Sequence, residues 1–285
     1  MTLAPTRQLM QDVCARGVGQ GAFNVLHLET AEGLVAGAED AGLPVILQIS
    51  QNCVKYHGAL EPVALATLSV ARRANVPVAV HLDHAEDEEL VIQAVELGFG
   101  SVMFDGARLP YTQNVAVTAR VTREAHRRGV YVEAELGEIG GKDGAHAPGV
   151  RTDPTDAARF VQETGVDALA VAVGSSHAMT QRTAALDLAL IGDLHRALDV
   201  PLVLHGSSGV ADQQIVDAIA AGMRKINVST HLNAQFTRGV RAALQGDPAL
   251  VDSRRYLAAG RAGLVPEVAR MLSLFAGREP APSRS

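Results

Sequence analysis

Short apolar runs alternate with longer amphipathic segments along almost the whole chain. The runs are rich in Val, Ile and Ala, which is typical of strands buried on both faces of a parallel sheet. The longer segments repeat apolar residues every three or four positions, as amphipathic helices do. The pattern predicts strands at 21–25, 44–49, 77–82, 101–105, 130–136, 168–173, 201–204 and 225–228.

A helical pattern follows each predicted strand. The predicted helices are 29–41, 60–73, 88–97, 111–128, 155–164, 188–198, 211–221 and 231–244. Eight such alternations within about 250 residues match the α/β fold of a TIM barrel, (β/α)8, in number and size. A doubly wound sheet is the main competing fold. It usually has fewer strands and a glycine-rich turn after the first strand, where this chain has Asn-Val-Leu-His.

The ends of the chain add to this barrel. A leading helix is predicted at 6–16 and a trailing helix at 265–275, and residues 276–285 are expected to fray into a disordered tail. Because no linker, repeat or low-complexity stretch divides the chain, we expect one domain over 1–285.

Charge and cysteine content limit which binding partners and which cellular compartment are expected. The 285 residues carry a net charge of −6, and no Lys/Arg cluster stands out, so neither nucleic acid nor a membrane surface is expected as a partner. No apolar run reaches the roughly 20 residues of a membrane span, and the first residues lack a signal-peptide pattern. The 2 cysteines, Cys14 and Cys53, form no disulfide framework. A reducing compartment, the cytoplasm, is therefore expected.

The stretch VAVHLDHAED, residues 78–87, carries the first candidate chemistry. Alternation places Val78, Val80 and Leu82 on one side of the strand, and His81 and Asp83 on the other. Asp83 and His84 then arrive together at the strand end. The imidazole can bind a metal while the carboxylate acts as acid or base. A buried histidine that is simply hydrogen bonded to the neighbouring aspartate is the alternative.

Three histidines fall at predicted strand ends: His84, His177 and His205. In a TIM barrel the carboxyl ends of all strands meet at one rim, where the working residues sit. Three imidazoles that leave one coordination position open form a typical catalytic zinc site. The loops after the last two strands bring Gly206-Ser207-Ser208-Gly209 and Ser229-Thr230, which suit a phosphate at a helix N-terminus.

Eight stretches together point to one family. They are GAFNV (21–25), HLDH (81–84), SVMFDGARLP (101–110), VEAELGEIGG (132–141), LAVAVGSSH (169–177), LVLHGSSG (202–209), KINVST (225–230) and RRYLAAGR (254–261). The combination resembles the class II, zinc-dependent ketose-bisphosphate aldolases, a family of aldehyde-lyases that includes fructose- and tagatose-bisphosphate aldolases.

The resemblance implies a catalytic centre. His84, His177 and His205 match the positions that bind zinc, and Glu135 matches a carboxylate that binds zinc in a second, deeper position. Asp83 matches the acid/base that acts on the hydroxyl at the bond that breaks. Asn227 matches the residue that holds the enediolate.

The resemblance also implies binding residues. Gly206, Ser208, Ser229 and Thr230 match positions that bind the phosphate of the dihydroxyacetone half of the substrate. The pocket for the other half is matched by Asn24, Gln48 and Ser50. Arg261 matches a residue that reaches a distal phosphate from a neighbouring subunit, which implies a homodimer or homotetramer. Backbone carbonyls near Val173, Gly174 and Ser208 match a site for a monovalent cation, Na⁺ or K⁺.

The chain departs from the family pattern in three places. The loop after Gly141 reads Lys142-Asp143-Gly144, where the family commonly has an acidic pair, so Asp143 is expected to protonate the dihydroxyacetone carbon. This loop is also shorter than usual. Ala178 replaces a glycine that follows the second zinc ligand, and His231 replaces an acidic residue. Substrate preference and rate depend on these changes more than reaction type does.

The expected reaction is reversible aldol cleavage of fructose 1,6-bisphosphate to dihydroxyacetone phosphate and glyceraldehyde 3-phosphate. Tagatose 1,6-bisphosphate or another phosphorylated ketose is the alternative substrate. The chain has three lysines, and none is placed for a Schiff base: Lys55 lies beyond strand 2, Lys142 in the glycine loop, and Lys225 at the start of strand 8, the wrong end of the barrel. A zinc hydrolase on the same barrel and a non-catalytic aldolase-like subunit are the rival functions.

Overall fold

A computed structural model describes residues 3–136, 150–175 and 181–278. The strands form one closed parallel barrel in the order β1 to β8, which confirms the predicted fold. Their bounds are β1 Gln20–Asn24, β2 Val45–Ser50, β3 Val78–Ala85, β4 Ser101–Phe104, β5 Tyr131–Leu136, β6 Ala168–Val171, β7 Leu202–Leu204 and β8 Met223–Val228.

Eleven α-helices surround the barrel within the described ranges. They are α1 Thr6–Arg16, α2 Leu28–Ala41, α3 Gln51–His57, α4 Glu61–Arg73, α5 Glu88–Leu97, α6 Tyr111–Arg127, α7 Pro154–Thr164, α8 Leu188–Ala197, α9 Asp212–Ala221, α10 Thr230–Gly246 and α11 Ser253–Phe275. No helix among these residues combines the length and the apolar character needed to cross a membrane.

Two helices differ from the prediction. The short helix α3 was not predicted, because its seven residues, QNCVKYH, show too little periodicity to be read as a helix. The trailing helix starts at Ser253 instead of 265. Pro266 lies inside α11, where a proline is unfavourable unless the surrounding packing holds the helix. The start of the predicted tail, 276–278, follows α11 as a turn, and 279–285 lie outside the described residues.

The barrel strands separate two sets of side chains. Val78, Val80 and Leu82 of β3 point outward into the apolar layer beneath the helices. His81 and Asp83 alternate with them and are buried on the inner side. The predicted division of this strand is therefore confirmed, and it places two polar groups inside the barrel.

Helix α1 closes the amino-terminal mouth of the barrel. Leu9 and Met10 pack against inward-facing residues, among them Ala22, Ile46 and Ala79. The opposite mouth, at the carboxyl ends of the strands, stays free for polar side chains.

Strand β3 ends irregularly where the candidate chemistry begins. Its register with β4 shifts between Leu82 and Ala85, so the strand bulges there. Within the bulge His84 has a φ of 49°, the one positive φ of a non-glycine residue in the described chain. Such backbone is uncommon outside glycine and clusters at functional sites.

Candidate active site

A cavity of about 190 Å³ opens at the carboxyl ends of the strands. It is lined by Asn24, Gln48, Ser50, Asn52, Asp83, His84, His205, Gly206, Ser208, Asn227, Ser229 and Thr230. Every lining residue except Asn52 was singled out in the sequence. The residues come from distant parts of the chain, so the barrel brings the predicted set together.

His84 and His205 face each other in this cavity. Nε2 of His84 lies 2.8 Å from Nδ1 of His205, and the two rings stand nearly edge to face. His205 is fully buried, and 14% of the His84 side chain is exposed. Two ring nitrogens this close share a proton or a cation, because two bare lone pairs would repel each other.

Carboxylates surround His84. Its Nδ1 lies 2.7 Å from Oδ2 of Asp105 and 3.8 Å from Oε2 of Glu135. Burial lowers the pKa of His84, but the charge of Asp83, the hydrogen bond to Asp105 and the charges of Glu135 and Asp105 raise it to about 9. The site therefore favours positive charge next to Nε2.

His205 is held from the other side by Glu133. Its Nε2 lies 2.9 Å from Oε1 of Glu133, and Nδ2 of Asn227 lies 3.1 Å from the same nitrogen. Oε2 of Glu133 accepts a hydrogen bond of 2.8 Å from Nζ of Lys225. All of these groups are buried.

These residues fit a metal ion. Two groups place their donor atoms within 4.8 Å of one another: Asp83, His84 and His205, and also His84, Asp105 and Glu135. In addition, each histidine is bonded through its distal nitrogen to a carboxylate, an arrangement that fixes and strengthens histidine ligands of metals. The predicted third ligand, His177, lies outside the described residues.

Asp83 sits at the cavity wall, and 3% of it is exposed. Two amides approach its carboxylate at 3.4 Å: Nδ2 of Asn227 at Oδ1, and Nε2 of Gln48 at Oδ2. Both amides donate, so they orient the carboxylate without neutralising it. A carboxylate held in this way beside a cation site is suited to take and return a proton.

The opposite wall of the cavity can hold an anion. Gly206 has a φ of 66° and starts a 3₁₀ turn at Ser207–Gly209, and α10 begins at Thr230. Oγ of Ser208 accepts from the backbone N–H of Ser229 and of His231, at 3.4 and 3.2 Å. Backbone N–H groups at a helix N-terminus together with a serine hydroxyl form a typical phosphate site.

A groove of about 650 Å³ continues from the cavity and shares Asn24, Ser50, Asn52 and Ser229 with it. Its remaining lining is largely apolar and includes Leu26, Tyr56, Phe236 and Leu257. Between the two, Nε2 of Gln48 donates to Oδ1 of Asn24 at 2.7 Å, and Oγ of Ser50 accepts from the N–H of Cys53 and caps α3. The cavity and the groove together therefore have room for a ligand that is longer than the cavity alone.

Some predicted residues lie elsewhere. Arg261 forms an ion pair with Glu32 on α2 and does not line the cavity of its own chain. The carbonyl of Val173, one of the predicted cation ligands, accepts from the N–H of Asp187 at 2.9 Å. The His231 ring turns to Glu267, with Nε2 2.6 Å from Oε1. Asp143 with its loop, and separately Ala178, fall outside the described residues.

Lys225 was placed wrongly in the sequence analysis. It lies two residues inside β8, which begins at Met223, and it is buried within the barrel, 1% exposed. The prediction failed because β8 starts earlier than its apolar run. The ammonium is bound to Glu133, so Lys225 is still not placed as a nucleophile.

The supporting carboxylates, Glu133 and Asp105, were not predicted as site residues. The alternation Glu133–Glu135 on one face of β5 was the available signal for a buried pair. His81 lies inside the barrel as expected, with Nδ1 2.8 Å from Oγ of Ser101. Its pKa is well below the ordinary value, first because of burial and then because of the charge of Lys225.

Known proteins that this chain resembles are described as aldolases. A family model described as fructose-bisphosphate aldolase class-II matches residues 4–279. A fructose-bisphosphate aldolase of Geobacillus stearothermophilus is 37% identical, over 92% of each chain. One of Giardia intestinalis is 36% identical, over 92% of this chain and 89% of that protein. The crystal structure of the YdjI aldolase from Escherichia coli K12 superposes with a TM-score of 0.81 at 30% identity, over 96% of this chain and 97% of that one.

Proposed function

Because the chain belongs to the class II fructose-bisphosphate aldolase family, and is thus an aldehyde-lyase, we propose that it reversibly cleaves fructose 1,6-bisphosphate. The products are dihydroxyacetone phosphate and glyceraldehyde 3-phosphate. The observation that carries the proposal is the meeting of His84, His205 and Asp83 in one cavity with an anion-binding turn.

We assign the resident metal as zinc, held by His84, His205 and His177. Two imidazole nitrogens that face each other, each ring with a carboxylate behind it, suit this ion once it displaces the proton on His84. When bound, zinc supplies a Lewis acid that stabilises negative charge on substrate oxygens. Glu135, 3.8 Å from His84, is the carboxylate for a second, deeper metal position.

Asp83 is the acid/base for the C4 hydroxyl. Its carboxylate takes the hydroxyl proton, the C3–C4 bond breaks, and an aldehyde leaves. The amides of Gln48 and Asn227 hold the carboxylate in place during this transfer. We also assign the Asn227 amide, which lines the cavity, as the donor to the oxygen on which negative charge develops.

The turn Ser207–Gly209 and the first residues of α10 anchor the phosphate of the dihydroxyacetone half. Gly206, Ser208, Ser229 and Thr230 line this part of the cavity. Binding at the phosphate fixes the distance from the anchor to the reacting carbons, so binding energy is used for orientation. Asp143, which lies outside the described residues, is the acid that protonates the remaining carbon.

The aldehyde half extends past Asn24, Gln48 and Ser50 into the adjoining groove. Its distal phosphate is met by Arg261 of a neighbouring subunit, so the protein acts as a homodimer or homotetramer. In its own chain Arg261 pairs with Glu32, on the outside of α2. A monovalent cation, Na⁺ or K⁺, near Val173, Gly174 and Ser208 and a cytoplasmic location remain predictions.

A coupled assay tests the proposal. The protein is incubated with fructose 1,6-bisphosphate or tagatose 1,6-bisphosphate, with and without a chelator, and triose phosphate release is measured. We expect release from the fructose substrate that the chelator abolishes and added zinc restores. Faster release from tagatose 1,6-bisphosphate would identify this C4 epimer as the preferred substrate. No release from either sugar by zinc-loaded protein would refute the proposed function.

A further inference from the structure

We propose that Glu133 and Lys225 are positioning residues that fix which nitrogen His205 presents to the metal. The pair lies inside the barrel on β5 and β8, on the far side of His205 from the cavity. Neither residue lines the cavity, so neither touches substrate. The inference rests on the metal site of the proposed function.

The geometry around His205 leaves Nδ1 for the metal. Nδ1 faces Nε2 of His84 at 2.8 Å, and Nε2 faces Oε1 of Glu133 at 2.9 Å. A carboxylate oxygen only accepts, so this contact requires a proton on Nε2. A neutral imidazole carries one proton, and its Nδ1 then presents a lone pair towards His84.

Asn227 offers the competing arrangement. Its Nδ2 lies 3.1 Å from the same Nε2, and a donated amide proton there would select the opposite tautomer, with Nδ1 protonated and unable to bind a metal. The charged oxygen of Glu133 is the closer group and the stronger partner, because hydrogen bonds to ionised groups are about twice as strong as neutral ones. Glu133 therefore decides the tautomer.

Lys225 offsets the energetic cost of burying the Glu133 carboxylate inside the barrel. Glu133 and Lys225 are each 1% exposed, and a buried charge without a partner is strongly destabilising. Nζ of Lys225 donates to Oε2 at 2.8 Å, which leaves Oε1 for His205. A barrel interior filled by apolar residues would be simpler and often as stable, so stability alone does not account for a buried ion pair at this place.

The two residues must be changed together, because either single change leaves a buried charge alone. The double variant Glu133→Gln/Lys225→Met keeps similar volumes and a neutral acceptor. We expect it to fold and to bind zinc about 10- to 100-fold more weakly, measured by competition with a chromogenic chelator. Glu96→Gln/Lys55→Met removes the same two charges at exposed positions and should bind zinc like the parent.

The outcomes separate the ideas. A folded double variant with parental zinc affinity overturns the inference and leaves the aldolase proposal standing, and a lower melting temperature with unchanged zinc affinity does the same. If the parent itself binds no zinc, the metal site and the inference fall together.

A measurement on the parent covers the case in which the double variant does not fold. In protein labelled with ¹⁵N-histidine, the ring shifts of His205 should show a protonated Nε2 and an unprotonated Nδ1, before and after zinc is added. A protonated Nδ1 in the zinc-free protein overturns the inference.

Discussion

Nε2 of His84 and Nδ1 of His205 meet at 2.8 Å although 121 positions separate the two residues along the chain. The contact joins the end of β3 to the end of β7, on opposite sides of the barrel mouth. Each ring is tied through its other nitrogen to a carboxylate, Asp105 or Glu133. The two ring nitrogens that face each other are the ones we propose as zinc ligands, so zinc binding must displace any proton held between them.

Zinc binding is expected to depend on pH. The pKa of His84 is raised to about 9 in the metal-free protein, so at pH 7 the ring holds a proton that zinc must displace. Apparent zinc affinity should therefore fall about tenfold for each pH unit below 9. Zinc titrations from about pH 6 to about pH 9, with detection of released protons, check this. An affinity that is flat across the range would contradict it.

The same raised pKa affects the stability of the metal-free protein. A histidine whose pKa is higher in the folded state stabilises that state fully below its unfolded value of 6.5, and this contribution disappears as the pH rises through about 9. The metal-free protein should therefore lose stability towards alkaline pH. Urea unfolding at several pH values measures it, and His84→Asn, which removes the titrating group, should flatten the curve.

Asp83→Ala should slow cleavage by roughly two to four orders of magnitude, because general acid–base catalysis contributes about that much. Zinc should stay bound, since the imidazole ligands and their carboxylates remain. Asp87→Ala, at the exposed start of α5, is the control and should affect stability only. Near-normal turnover by the Asp83 variant, with triose phosphate release as the readout, would remove Asp83 from the mechanism.

Ser208→Ala should weaken phosphate binding. Its hydroxyl is held by the backbone of Ser229 and His231 at the start of α10, so it is preorganised for an anion. Loss of one hydrogen bond to a charged group costs about 1.5–3 kcal/mol, which predicts a KM raised at least tenfold for a phosphorylated ketose. Ser273→Ala, on α11 and bonded to the Ala269 carbonyl, is the matched control. An unchanged KM in Ser208→Ala would argue against this anion site.

Gly37→Ala should destabilise the fold. A Cβ at Gly37 would lie 2.5 Å from Cβ of Val268 and 2.8 Å from the Val265 carbonyl, so α2 and α11 would have to separate. Overpacking of this kind typically costs about 1–3 kcal/mol. Gly192→Ala on α8 meets only the flexible end of Arg196 at 3.3 Å and should be neutral or stabilising. Thermal unfolding of both variants decides; equal melting temperatures would contradict the prediction.

The barrel was predictable because its signal is repeated eight times. Each apolar run is short, and the helices between the runs exclude most other topologies. Polar residues at strand ends then had to share one rim, and the family resemblance added Asn24, Gln48, Ser50 and Asn227, so eleven residues lining the cavity could be named in advance. Boundaries were less certain, as at β8, where Met223 and Arg224 precede the apolar run that marked the strand.

The supporting network could not be read from the sequence. Whether Glu133 faces the barrel interior or the rim depends on the stagger between neighbouring strands, which the spacing along one strand does not contain. The buried pairing of Glu133 with Lys225 joins residues 92 positions apart, and nothing local marks it. Helix α11 illustrates the same limit, because its packing against α2 and α10 is what sustains a helix through Pro266.

The backbone of His84 has a practical consequence for redesign of this site. At a φ of 49° most replacements of His84 strain the backbone in addition to removing the imidazole. The effect of an alanine there would therefore combine the loss of the imidazole with backbone strain. Asparagine visits the left-handed region more readily than most residues, which makes it the substitution of choice for deleting the imidazole while sparing the main chain. A redesigned metal site at this rim likewise needs, at position 84, a residue that tolerates a positive φ.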